Sequence, residues 1–182
     1  MWTGSFRWVP AVVLTAALAS CASPGVPQEP VARESGLPDA AWWYGLELEP
    51  RGGEVRGIAV AEFSPDWSTA TALGEQMLAR HVPAEGFAPY RASGFSFVVT
   101  QDLDGDGAGE EVFVGTFETR SGTRGRFLAV SREGRLVQHF EHSGSAGFSA
   151  LLPVEGGVRW YKCLDCGEYE SLSWTGGSYV LD

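Results

Sequence analysis

From residue 95 to residue 181 the chain is a succession of short segments of alternating or continuous apolar character, each cut off from the next by turn residues. Strands are expected at 95–100, 111–118, 126–131, 135–142, 148–154, 158–162, 169–174 and 179–181. Between them stand Gly122 and Gly125, Glu133 and Gly134, Gly144 and Gly147, Gly156 and Gly157, and Gly176 and Gly177. Parallel neighbours need a crossover of a dozen residues or more, and these gaps are too short for one. The chain is therefore restricted to an antiparallel meander. Upstream, Trp42, Trp43, Tyr44, Leu46 and Leu48, then Val55, Ile58 and Val60, predict two strands about a Gly-rich turn at residues 50–53. Ser64, Pro65 and Asp66 have the order of a helix start. Trp67, Ala70, Leu73, Met77 and Leu78 follow at helical spacing, and Pro83 closes the segment. The expected class is α+β, mainly β: antiparallel meander sheets with one amphipathic helix in the N-terminal half.

A length of 182 residues with 44% hydrophobic content suits one well-buried domain, expected over residues 40–182. The 24 Gly, 10 Pro and 7 Trp suit short strands and tight turns. A net charge of -10, without a cluster of Lys and Arg, argues against a nucleic-acid partner.

The most distinctive stretch lies between two of the expected strands. Residues 102–111 read DLDGDGAGEE. With Asp102 counted first, carboxylates fall at Asp102, Asp104, Asp106 and Glu110, and Ala108 offers its carbonyl at the seventh place. Hard oxygen donors at this spacing are what calcium takes, and Gly105 and Gly107 free the backbone for the wrap. The twelfth place, where an EF-hand carries a bidentate Glu, is Phe113, and strands flank the loop in place of helices. The expected ion is structural calcium, held in the range of about 10⁻⁴ to 10⁻³ M typical of extracellular modules.

A strand, the D-x-D-G-D-G-x-x-E run and a strand reaching Gly115 resemble the loop of FG-GAP or VCBS-type repeats. That resemblance covers about 25 residues and implies calcium binding. The loop occurs once here, whereas such repeats come in series.

Residues 8–18 form an apolar run too short to span a bilayer, and Leu18, Ala19, Ser20 and Cys21 resemble the bacterial lipobox. The resemblance implies a signal peptide at residues 1–20, lipidation of Cys21 with palmitate among the acyl chains, and a membrane anchor. By the same analogy Ala22 points to the outer membrane, with the domain facing the periplasm. Residues 21–39 hold Pro24, Pro27, Pro30 and Pro38 among polar residues and read as a tether.

Cys163 and Cys166 form Cys-x-x-Cys followed by turn and strand character, so a structural disulfide closing a hairpin is expected. The alternatives are an envelope thiol-disulfide oxidoreductase using this pair, although a low thiol pKa requires a helix N-terminus that the following residues do not predict, and an enzyme of unrecognised type. His139 and His142 fall on opposite faces of one expected strand and so make poor partners for zinc. No Gly-x-Ser-x-Gly elbow is present. The sequence predicts a lipid-anchored cell-envelope protein, not an enzyme, that presents a binding surface to an envelope protein or glycan.

Overall fold

In the computed structural model, which describes residues 41–182, the fold is built on strand β5, Glu110–Thr119. From Val112 to Phe117 its side chains are buried on both faces. One edge pairs along its length with β6, Arg124–Arg132. The other edge is shared end to end: β4 (Val98–Gln101) pairs with its first part and β3 (Trp67–Ala72) with its second. β7, Arg135–Ser143, follows β6, so the first sheet has five strands, all antiparallel. β8 (Ala150–Val154), β9 (Gly157–Tyr161), β10 (Tyr169–Trp174) and β11 (Tyr179–Leu181) pair in sequence order as a second, four-stranded meander. The expected class, mainly β with antiparallel meanders and little helix, is the one observed.

The alternation of β5 sends its two rows of side chains into different cores. Val112 and Val114, with Leu128 and Val130 of β6, meet Leu151, Val158, Trp160 and Leu172 of the second sheet. Phe113, Phe117, Phe127 and Ala129 face the other way, where Val55, Ile58, Phe63 and Trp67 cover them. Hydrogen bonds also join the sheets beyond this packing. Ser96 and Leu151 exchange backbone hydrogen bonds at 2.8 and 2.7 Å. Gln138 of β7 donates to the Tyr179 carbonyl at 2.8 Å and accepts from the Tyr179 amide at 3.1 Å, so one side chain substitutes for a ladder step.

The helix expected over residues 64–82 is replaced by two elements. Trp67–Ala72 is a strand, and only one turn, Glu75–Leu78, is helical. A register shift between Trp67 and Thr69 explains the difference, because the extra residue of a bulge sets Trp67 and Ala70 on one face at a spacing of three. A bulged strand thus imitated helical period. Thr69 and Thr71, β-branched and alternating, favour the strand.

The N-terminal strands also differ. Trp42–Gly45 forms a helical turn, α1, and the following extended segment is tied down by the Leu48 amide donating to the Ala146 carbonyl at 2.9 Å. The hairpin turns not at residues 50–53 but at Arg56 and Gly57, both at positive φ, so that Val55 faces Ile58 across β1 (Glu54–Val55) and β2 (Ile58–Ala59). That is the geometry of a two-residue hairpin turn. Short helical turns at Val60–Phe63 (α2), Glu75–Leu78 (α3) and Ala88–Ala92 (α4) complete the N-terminal half. The signal peptide, Cys21 and the tether lie outside the described residues.

Two glycines hold the centre of the first sheet together. Gly115 lies opposite Phe127, and Gly125 lies opposite Phe117. A Cβ at either glycine would overlap the facing ring. Each phenylalanine ring therefore reaches over the bare backbone of its partner strand. Gly115→Ala is expected to lower stability by about 1–3 kcal/mol through overpacking. Urea unfolding checks this, with a lowered midpoint and an unchanged slope.

Candidate metal centre

The acidic loop joins β4 to β5, whose pairing of Gln101 with Glu110 brings its two ends together. Its turns are made by the residues expected to make them, with Gly105 at φ 76° and Gly107 at φ 90°. An added Cβ would meet nothing at either position, so the demand for glycine is conformational and not spatial. The carboxylates also fold the loop on itself. Asp102 accepts from the amides of Gly105 at 2.9 Å and Gly107 at 3.0 Å, Asp104 from Asp106 at 3.1 Å, and Asp106 from Ala108 at 2.8 Å. These are the local side-chain to backbone bonds that Asp makes in turns.

The result brings Asp102, Asp104 and Asp106 together, with one carboxylate oxygen from each lying within 4.8 Å of the others. Glu110 occupies a different place. Its side chain is fully buried at the root of β5, where one oxygen accepts from the Leu103 amide at 2.8 Å. Its other oxygen meets Arg132, a residue that the sequence reading did not single out.

Arg132, at the end of β6, engages three acids at once. Nη2 donates to Asp104 at 2.6 Å and to Glu110, Nη1 to Asp106 at 2.8 Å, and Nε to Glu110 at 2.9 Å. The guanidinium holds the Asp104 carboxyl below its ordinary range. The signal for Arg132 was in the hairpin register, since pairing Glu111 with Ser131 sets residue 132 beside residue 110. Tyr179 of the second sheet closes the site from behind. Its phenol is pushed up to about 12, first by burial and then by the charges of Glu110 and Asp104.

Three hard carboxylate oxygens on a tight loop are a donor set that could hold a metal cation. The charge balance points the same way. Asp102, Asp104, Asp106 and Glu110 face one guanidinium, which leaves three negative charges in a small volume. Asp102 has no cationic partner among the described residues.

Elsewhere, Cys163 and Cys166 are joined in the connection between β9 and β10, with Cα atoms 5.7 Å apart, within the range a disulfide takes. Between them Asp165 accepts from the Trp43 indole at 3.0 Å and the Tyr44 hydroxyl at 2.7 Å, which docks α1 on this connection. His139 packs against Phe63 and Trp67, whereas His142 bonds Glu170 at 2.8 Å, so the two lie on opposite sides of β7. Lys162 shares Glu170, completing a polar link between β7 and β10. No protein-family model, no curated protein and no solved structure matches the chain.

Removing Arg132 leaves the buried Glu110 carboxylate without its cation, so Arg132→Ala is expected to cost about 3 kcal/mol, measured by urea unfolding. Acid should act through Asp104. Because its folded pKa is depressed, its contribution is present above its unfolded value of about 3.9 and is lost as pH falls through the folded one. Asp104→Asn should therefore flatten the fall in stability below about pH 4.

Proposed function

We propose that this chain is a lipid-anchored cell-envelope protein whose β domain is a non-catalytic binding module, stapled by calcium at the loop before β5. The observation that carries the calcium reading is the convergence of Asp102, Asp104 and Asp106, whose charge exceeds what Arg132 neutralises. Glu110, which the spacing along the loop counts among the ligands with Ala108, has both oxygens held by the Leu103 amide and Arg132 and so supports the loop from beneath. Calcium would pull the ends of β4 and β5 together and relieve the repulsion among the acids. Arg132 then serves as a partial substitute that keeps the loop folded when the ion is absent.

The anchor and compartment rest on the lipobox-like run ending at Cys21. Outer-membrane placement, with the domain facing the periplasm, follows from Ala22 by analogy. The thiol oxidoreductase reading draws little support from the setting of the cysteines. Cys163 is buried, and the pair lies between two strands, away from a helix N-terminus that would depress a thiol pKa. The ligand of the module is expected to be an envelope protein or glycan.

Thermal unfolding in calcium and in chelator tests the staple. With a dissociation constant of about 0.5 mM, about 5 mM calcium contributes about 1.4 kcal/mol, which raises the melting temperature by about 3–6 °C. Asp102→Ala should abolish the shift, and Arg132→Gln should enlarge it by removing the competing cation. An identical midpoint with and without calcium would exclude the staple.

A further inference from the structure

A second site lies away from the acidic loop. A cavity of ≈ 450 Å³ opens between Glu47 and Leu48 of the segment before β1, Met77 and Arg80 at the turn of α3, and Thr71 and Thr116 of the first sheet. Its volume falls in the range of small-molecule sites. Thr71 and Thr116 face each other across the β3–β5 ladder. The Thr71 hydroxyl is fully used, accepting from the Arg51 amide at 2.7 Å and donating to the Arg51 carbonyl at 2.8 Å. The Thr116 hydroxyl is not used. Thr116 is fully buried, and its Oγ1 has no hydrogen-bond partner. Buried hydroxyls are ordinarily satisfied, so an unpartnered one lining a cavity marks a place for a ligand atom.

The charges around the opening are of both signs. Arg80 forms no ion pair among the described residues, while Glu47 gives only one oxygen to a partner, Ser145 at 2.6 Å. Leu48 and Met77 supply apolar wall between them.

We propose that this cavity binds a small zwitterion of amino-acid or dipeptide size. Arg80 takes the carboxylate, Glu47 the ammonium, the Thr116 hydroxyl donates to a carbonyl oxygen at the floor, and the side chain lies against Leu48 and Met77. None of these residues belongs to the acidic loop, so the inference stands or falls apart from the calcium reading.

Calorimetric titration of the full chain with the dipeptide leucyl-glycine, in chelator, tests the proposal without involving the loop. Saturable binding is expected in the sub-millimolar to millimolar range. Acetylating the amine or amidating the carboxylate should weaken it about tenfold each, as loss of a charge-assisted hydrogen bond does. Arg80→Gln, at an exposed position, should weaken it about tenfold and Thr116→Val about fivefold, with the unfolding transition retained. The proposal is overturned if no saturation occurs up to about 20 mM, if the doubly capped dipeptide binds as tightly as the free one, or if Arg80→Gln leaves the affinity unchanged.

Discussion

Glu110 begins β5 with its side chain fully buried and both carboxylate oxygens engaged, one by the Leu103 amide and the other by Arg132. A carboxylate taken out of water is stable only when its lone pairs are met, and here they are met by a loop residue and by the neighbouring strand. That single group therefore fixes three things together: where the acidic loop ends, where β5 starts, and which side of β6 faces the loop. Arg132 extends the same arrangement outward to Asp104 and Asp106. The site is consequently part of the sheet and not an appendage to it.

The sheet that carries the loop is rigid for a reason visible in β5. Its two faces feed two cores, one shared with the second sheet and one closed by the N-terminal arm. The reciprocal pairs of Gly115 with Phe127 and Phe117 with Gly125 let large rings lie across adjacent strands without forcing them apart. Trp67 stacks on Phe117 at 4.3 Å and donates its indole N–H to Glu141 at 3.0 Å, so the edge strand β3 is held by aromatic contact as well as by its ladder. An ion bound at the loop would act on a strand already fixed on both faces. It would stabilise the end of β5 without remaking the fold.

Much of this was legible in local sequence because the determinants are local. Glycine turns too short for crossovers forced the meander, and β10 and β11 fall where alternation placed them. Gly105 and Gly107 take the positive φ that their place in the loop demanded. What escaped was set at a distance or by conformations that composition does not announce. The bulge in β3 turned period two into an apparent spacing of three, and the hairpin at Arg56–Gly57 requires positive φ from an arginine, which seldom signals a turn. Arg132 and Tyr179 reach the acids only through strand register and sheet packing. The unsatisfied hydroxyl of Thr116 is likewise a property of the fold, since its neighbour Thr71 has the same chemistry and is fully bonded.

The acids before β5 either enclose a cation or are balanced by Arg132 alone. Anomalous diffraction from crystals grown in calcium tests the enclosed cation most directly. One peak is expected, coordinated by Asp102, Asp104 and Asp106, with oxygens at about 2.3–2.6 Å. A loop without a peak at millimolar calcium, with Arg132 still joined to Asp104 and Asp106, would contradict it.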